Sequence, residues 1–137
     1  MNEPLLNEFV DVYFNERSRL IYLNWKGYQT LTSVQAGLVK ALKLIEQSKS
    51  PYILSNHQTM LGTVTMAHNW IEQIWKPRAL QSGCKAFALI YAYDAFTRFS
   101  TDQMARIVDG GISAHAFYDP NTANAWLCSV RDAGEAA

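Results

Sequence analysis

The sequence lacks an excess of charge of either sign. Twelve Lys and Arg residues balance twelve Asp and Glu residues over 137 residues, so the formal net charge is zero. A chain without positive excess does not concentrate DNA, RNA or an anionic membrane near its surface, and we expect no nucleic-acid partner. Neutrality also removes a repulsion between copies, which favours a homo-oligomer, most simply a dimer.

Cysteine is scarce and long apolar runs are missing. Cys84 and Cys128 are far apart and each lies among apolar neighbours, which predicts buried, reduced thiols rather than a disulfide or a redox motif. No window approaches the ~20 apolar residues of a membrane-spanning helix. A signal peptide begins with a basic segment followed by an apolar one, and the first ten residues do not show this pattern. We therefore expect a cytoplasmic protein without a membrane span.

Motifs that carry catalysis or bind cofactors are also missing. The glycines fit neither a G-x-G-x-x-G frame nor a P-loop, and no G-x-S-x-G segment is present. The spacings between the three histidines, His57, His68 and His115, match no known zinc-binding pattern, and no cysteine lies where it would complete one. The sequence therefore predicts a protein that binds neither a metal nor a cofactor and that is not an enzyme.

What is present is the composition and patterning of one globular α/β domain. The chain is 49% apolar and 18% charged, which predicts a single domain over 1–137, with a core at about 8–130 and a tail at 132–137 that frays. Apolar spacing gives the order ββαβαβαβα, and helices between the later strands imply crossovers, hence a mixed sheet with parallel central strands. The predicted elements are a hairpin over 9–27, strands at 52–54, 84–92 and 112–118, and helices at about 30–48, 64–75, 101–108 and 123–130.

Four short segments follow one another along the chain: LIYLNWKG at 20–27, WKPRA at 75–79, DAFTRFS at 94–100 and FYD at 117–119. In this order they resemble the SpoIIAA-like proteins, a branch of the STAS and SEC14-like superfamily. The resemblance spans about residues 8–130. It implies a STAS-like mixed sheet with packed helices, in a family whose members mostly have no known activity.

The same resemblance bears on phosphorylation. Classical STAS anti-sigma-factor antagonists carry a phosphorylatable serine in an Asp-Ser-Ser-Gly-type segment after the third strand, and the corresponding residues 54–59 (LSNHQT) have no such motif. Ser55, Thr59 and Thr63 are candidate phosphoacceptors near a helix N-terminus, where the dipole tolerates added charge. The simpler interpretation is that they are caps or loop hydroxyls.

Polar side chains follow two predicted strand ends, where ligands of open α/β sheets usually bind. Asn56 and His57 come after the 52–54 strand, and Asp94 and Arg98 after the 84–92 strand. A His57–Asp94 pair could serve acid–base catalysis, which is the basis of a hydrolase hypothesis. Asp94 and Arg98 have the i,i+4 spacing of an ion pair, although Arg98 could instead offer its planar fork to a ligand carboxylate or phosphate.

Aromatic residues add an apolar component to this region. Trp70 and Trp75 are five residues apart, which turns an α-helix by about 140°, so one of them should lie at the edge of the buried stripe. That stripe is predicted at Ala67, Ile71 and Ile74. An edge tryptophan beside Met60, Met66 and Tyr93 would form an apolar rim fit for a ligand or another subunit.

The leading hypothesis is a non-enzymatic STAS-like module that binds an unknown protein partner or itself through residues 56–66 and 93–99. The alternative is a SEC14-like carrier of a lipid or small apolar molecule, in which aromatic side chains line a cavity with Arg98 at its mouth. These cavity-lining residues would be Trp70, Trp75, Phe96 and Phe99.

Overall fold

Six strands form a single sheet in the computed structural model, which describes residues 2–136. The strands lie side by side in sequence order, so each one pairs with its neighbours along the chain. They are β1 (Leu5–Leu6), β2 (Val10–Asn15), β3 (Leu20–Tyr28), β4 (Tyr52–Leu61), β5 (Ala86–Ile90) and β6 (Ser113–Phe117).

The first three strands pair antiparallel and the last four pair parallel. The predicted hairpin and the predicted parallel strands are therefore confirmed, as is the α/β class. The two-residue strand β1 was not predicted, because a pair of leucines carries no periodicity. It precedes an order that otherwise matches the prediction.

Four helices pack on the sheet. They are α1 (Leu31–Ser48), a continuous helix α2 over 65–81, α3 (Ala95–Val108) and α4 (Pro120–Ala136). α2 consists of an α-helical part (Thr65–Trp70), a π-helical turn (Ile71–Trp75) and a second α-helical part (Lys76–Gln81). Within residues 2–136, no helix combines the length and hydrophobicity needed to cross a membrane.

The helices divide between the two faces of the sheet. Residues of α1, α2 and α3 share the larger apolar core with Ile21, Ile53 and Phe87, whereas Leu127 of α4 packs with Leu20 and other residues on the opposite face. This division follows from right-handed crossovers, which place successive helices on the same side when the strands advance in one direction. The four parallel strands consequently end at one edge of the sheet, together with the N-termini of α2 and α3.

Three helix predictions differ from the structure. Pro77 does not end α2, because the preceding π turn pairs the Lys76 amide with the Ile71 carbonyl and so absorbs the break that proline imposes. α3 starts at Ala95 rather than Thr101, with Asp94 as its cap. α4 continues beyond Val130 through most of the tail, where Glu135 pairs with Arg19 at 2.8 Å.

α1 approaches the sheet most closely at Gly37. A Cβ there would lie 2.8 Å from Cη2 of Trp25 and 3.3 Å from Cγ1 of Val10. We expect Gly37→Ala to lower the free energy of unfolding by about 1–3 kcal/mol through overpacking, although alanine is the better helix former by ~1 kcal/mol. Urea denaturation measures this. The neighbouring exposed Ala36→Gly controls for helix propensity, and a Gly37→Ala variant more stable than the parent would contradict the close contact.

Candidate functional site

Asp94 and Arg98 hold the turn between β5 and α3. One Asp94 carboxylate oxygen accepts hydrogen bonds from the Thr97 amide (2.9 Å) and hydroxyl (2.8 Å). These bonds from Thr97 lower the pKa of the Asp94 carboxyl. Arg98 donates to the backbone oxygens of Ala92 (3.0 Å) and Tyr93 (2.9 Å). The predicted ion pair is thus replaced by a helix cap and by two bonds to backbone carbonyls.

His57 lies inside β4 and not in a loop, because the strand extends to Leu61. It is fully buried. Its Nε2 lies 2.8 Å from the Ser55 hydroxyl, which also accepts the indole N–H of Trp25 at 2.9 Å. Its Nδ1 lies 3.1 Å from the Thr101 hydroxyl on α3. We call these four residues, Trp25, Ser55, His57 and Thr101, the buried relay.

The donors and acceptors of the buried relay balance for one tautomer of His57. The Ser55 oxygen accepts from Trp25, so its own proton can be donated to Nε2 of the imidazole. Nδ1–H then donates to Thr101, whose hydroxyl donates to the Thr97 carbonyl at 3.3 Å. In the opposite tautomer, Nε2–H of His57 would donate to the Ser55 oxygen, and the Ser55 hydroxyl proton would then have no acceptor among these contacts. The geometry therefore fits a neutral Nδ1–H imidazole.

The charge of His57 is governed by its burial. Desolvation lowers the pKa of its imidazole from 6.5 to about 3. The Ser55–His57 contact looks like a nucleophile and its base, but both side chains have no exposed surface. Asp94, the partner suggested for His57 in the hydrolase hypothesis, bonds to Thr97 instead. The buried relay therefore joins β3, β4 and α3 and offers no surface to a substrate.

β4 contains a bulge beside the buried relay. Asn24 pairs with Asn56 but Lys26 pairs with Thr59, so β4 contains one extra residue at this point. The Asn56 side chain accepts the Gln58 amide at 2.9 Å and supports the bulge. His57 lies within the bulge and is buried, and because of the extra residue the next buried position is Met60 and not Thr59.

The candidate phosphoacceptors differ in exposure. Ser55 is fully buried in the relay. Thr59 is exposed but its hydroxyl donates to the Trp25 carbonyl at 2.8 Å, and the Thr63 hydroxyl lies 3.3 Å from that of Thr65. A kinase could therefore reach the hydroxyls of Thr59 and Thr63 in the folded protein. The Ser55 hydroxyl would become accessible only after local unfolding.

The two tryptophans of α2 occupy different environments. Trp75 is fully buried, donates its indole N–H to the Leu38 carbonyl at 2.8 Å and packs edge-on against Phe87. Trp70 is half-buried at the border of the core. The π turn accounts for this, because its wider turn brings Ile71 and Trp75 to the same side and leaves Ile74, a predicted core residue, 42% exposed.

Aromatic side chains at the carboxyl edge point into solvent. Tyr93, Phe96 and Phe99 are 68%, 69% and 66% exposed. Phe96 and Phe99 lie one turn apart on the outer side of α3, away from the face centred on its buried Thr101 and Met104. Other exposed apolar residues lie at the ends of β3 and β4 and at the start of α2. We call six of the exposed residues at this edge the aromatic rim: Tyr28, Leu61, Met66, Tyr93, Phe96 and Phe99.

The parts of the aromatic rim are held together by backbone contacts. Tyr28 and Leu61 are paired at the ends of β3 and β4. The Tyr93 amide donates to the Gln58 carbonyl at 3.0 Å, and the Val64 amide donates to the Ser100 hydroxyl of α3 at 2.9 Å. The first bond fixes the loop after β5 to β4 and the second fixes the loop after β4 to α3, so the rim is presented on ordered elements.

Sequence reasoning missed the roles of Thr97, Ser100, Thr101 and Tyr28. A usable signal exists in α3, because 97, 100, 101, 104 and 105 share the spacing of one helix face and three of these positions carry hydroxyls. Hydroxyls among the core positions of a helix indicate buried hydrogen bonds.

No family model, no curated protein and no solved structure matches this chain.

Proposed function

We propose that this chain is a non-enzymatic binding module that uses the aromatic rim to associate with a protein surface, in the first instance with a second copy of itself. One observation carries the proposal. The polar side chains at the carboxyl edge are used internally, in a cap, in carbonyl contacts and in the buried relay, while aromatic side chains at the same edge face solvent. Exposed apolar patches of this kind mark interaction sites.

Self-association is favoured by the chemistry of the rim. None of its six side chains belongs to an acidic or basic residue, so two copies can bring these side chains together across a two-fold axis without opposing like charges. The chain as a whole carries no net charge to oppose the approach. Tyrosine and phenylalanine also supply much of the binding energy at the centres of interfaces. Membership of the SpoIIAA-like branch is part of this proposal and agrees with its α/β class and mixed sheet.

The SEC14-like carrier is the second candidate, and the placement of its four aromatics counts against it. Trp75 is sealed in the core against Phe87, whereas Phe96 and Phe99 project outward from α3. Arg98, the proposed mouth of the cavity, is committed to the carbonyls of Ala92 and Tyr93. These side chains do not enclose a common space for a ligand.

Replacement of Phe96 and Phe99 by serine tests the proposal. Because both rings are about two thirds exposed, we expect F96S/F99S to fold normally and to raise the dimer dissociation constant at least about tenfold, the equivalent of ~1.4 kcal/mol. Sedimentation velocity over a concentration series measures this constant. Native mass spectrometry of the same samples reports subunit number and any co-purified small molecule.

Leu6→Ser is the matched control, because Leu6 is 65% exposed but belongs to β1 at the far side of the sheet. It should leave the dissociation constant unchanged. A parent protein that stays monomeric at the highest concentration would rule out self-association, and a co-purified lipid would favour the carrier.

A further inference from the structure

A cleft of about 720 Å³ opens at the opposite edge of the sheet from the aromatic rim. It lies between the last turns of α1 and α2, at the amino ends of β4 and β5. Its volume falls within the range typical of small-molecule sites, about 300–1,000 Å³. Nothing in the proposed function uses this cleft.

The cleft concentrates positive charge. Lys43, Lys49, Arg78 and Lys85 line it together with a single carboxylate, Glu46. A third of the twelve basic residues of a neutral chain therefore meet in one place, with a formal excess of three positive charges. The ion pairs found within residues 2–136 use other cations, namely Arg19, Lys26, Arg106 and Arg131. The four cleft cations are exposed and available to an anion.

Helix dipoles account for only part of this arrangement. Cations are favoured near the negative C-terminal end of a helix, and the effect is confined to the last turn. Lys49 caps α1 and Arg78 lies in the last turn of α2. Lys43 lies before the last turn of α1, and Lys85 precedes a strand. The helix dipole therefore does not explain the positions of these two lysines. Binding of an anion between them would explain both.

The walls define the class of ligand. Val39, Leu42, Ile45 and Pro51 form an aliphatic side, and the lining contains no aromatic ring on which a nucleobase could stack. The amides of Ser82, Gly83 and Lys85 are already bonded to backbone carbonyls, at 2.9, 3.1 and 2.9 Å. An anion would therefore be held by flexible side-chain cations and not by a backbone nest, which suits a ligand with several negative charges.

We propose that this cleft binds a small phosphorylated compound with at least two negative charges and an aliphatic body. Such a ligand places its phosphate between Lys43, Lys85, Lys49 and Arg78 and its carbon chain against the aliphatic side. The binding is independent of the aromatic rim, because the two regions lie at opposite ends of the parallel strands.

Titration with inorganic pyrophosphate at physiological salt, followed by amide chemical shifts, tests the site. We expect saturable shifts centred on residues 82–85 and the end of α1. K43Q/K85Q should weaken binding at least about tenfold. The matched control K40Q/R17Q removes the same charge outside the cleft lining and should leave affinity within about twofold. Arg17, Lys43 and Lys85 are exposed and Lys40 is half-buried, so none of the four lies in the core and both variants should fold.

Equal weakening in the two variants would reduce the effect to general electrostatics and overturn the proposal, as would shifts spread over the surface or the absence of saturation. A second arm identifies the source of the phosphate. Vesicles of phosphatidylcholine containing phosphatidic acid should sediment with the protein only if a lipid headgroup is the ligand. That binding should then be lost in K43Q/K85Q and competed by pyrophosphate. Pyrophosphate binding without vesicle binding identifies a soluble ligand.

Discussion

Removal of one oxygen atom, in Ser55→Ala, should lower the free energy of unfolding by about 2–5 kcal/mol. The Ser55 hydroxyl serves two fully buried groups at once, the Trp25 indole N–H at 2.9 Å and the His57 Nε2 at 2.8 Å. Each buried polar group left without a partner costs about 1–3 kcal/mol. Alanine occupies nearly the same space, so the loss measures the hydrogen bonds and not a large cavity. Urea denaturation near pH 7 with the tryptophan signal reports it.

Ser129→Ala is the control for this substitution. The Ser129 hydroxyl is exposed and donates to the carbonyl of Trp126 in its own helix at 2.7 Å, so its removal should change stability by less than about 0.5 kcal/mol. Thr101→Val offers a second probe, because it removes the other hydroxyl bonded to His57 at nearly constant volume. If Ser55→Ala were as stable as the control, the Ser55 hydroxyl would not form the two buried hydrogen bonds with Trp25 and His57 that the distances indicate.

The fold was largely predictable because its signals are local. The hairpin joining β2 and β3 has Asn15 in its turn, and the Asn15 side chain accepts the Arg17 amide at 2.9 Å. β5 consists of five consecutive buried apolar residues, the pattern of a strand covered on both faces. Apolar spacing marks α1, whose cap is the Thr30 side chain. Each of these elements is specified by its own residues.

β4 was predicted to end at Leu54, because its second half is polar: SNHQTML. The pattern of a buried strand is apolar alternation, and a strand whose inward positions carry Ser55 and His57 does not show it. The partners that satisfy these groups, Trp25 and Thr101, lie 30 and 44 residues away. Only the tertiary structure brings them together, so no local pattern could distinguish this strand from a loop.

The positions of the side chains at the carboxyl edge were predictable from the sequence, but their contacts were not. The carboxyl edge was expected from the parallel strands, and Tyr93, Phe96 and Arg98 do lie there. The uses of Asp94 and Arg98 depend on the geometry of one turn, in which the cap and the two carbonyl contacts compete with an ion pair. The exposure of Phe96 followed from the true start of α3 at Ala95, six residues before the predicted start at Thr101.

Acidification should destabilise the protein well above the range in which carboxylates titrate. The folded state keeps His57 neutral with a pKa of about 3, against 6.5 in an unfolded chain. Between these values the unfolded chain binds a proton that the folded chain refuses, so this contribution to stability is complete above about pH 6.5 and is lost as pH falls toward 3. The slope is about 1.4 kcal/mol per pH unit. Burial also lowers the pKa of His68, which adds a contribution of the same sign.

Urea denaturation at several values between about pH 7 and pH 5 isolates the histidines, because the contribution of Asp94, whose pKa is lowered from 3.8, is lost only below about pH 4. His68→Gln removes the second histidine and should leave a slope that rises toward about 1.4 kcal/mol per pH unit as the pH falls to 5, whereas His57→Gln should reduce it. Nitrogen NMR of the parent tests the same state without a substitution at His57. We expect the neutral Nδ1–H pattern to persist at about pH 5, and an imidazolium pattern there would show that the relay admits a proton.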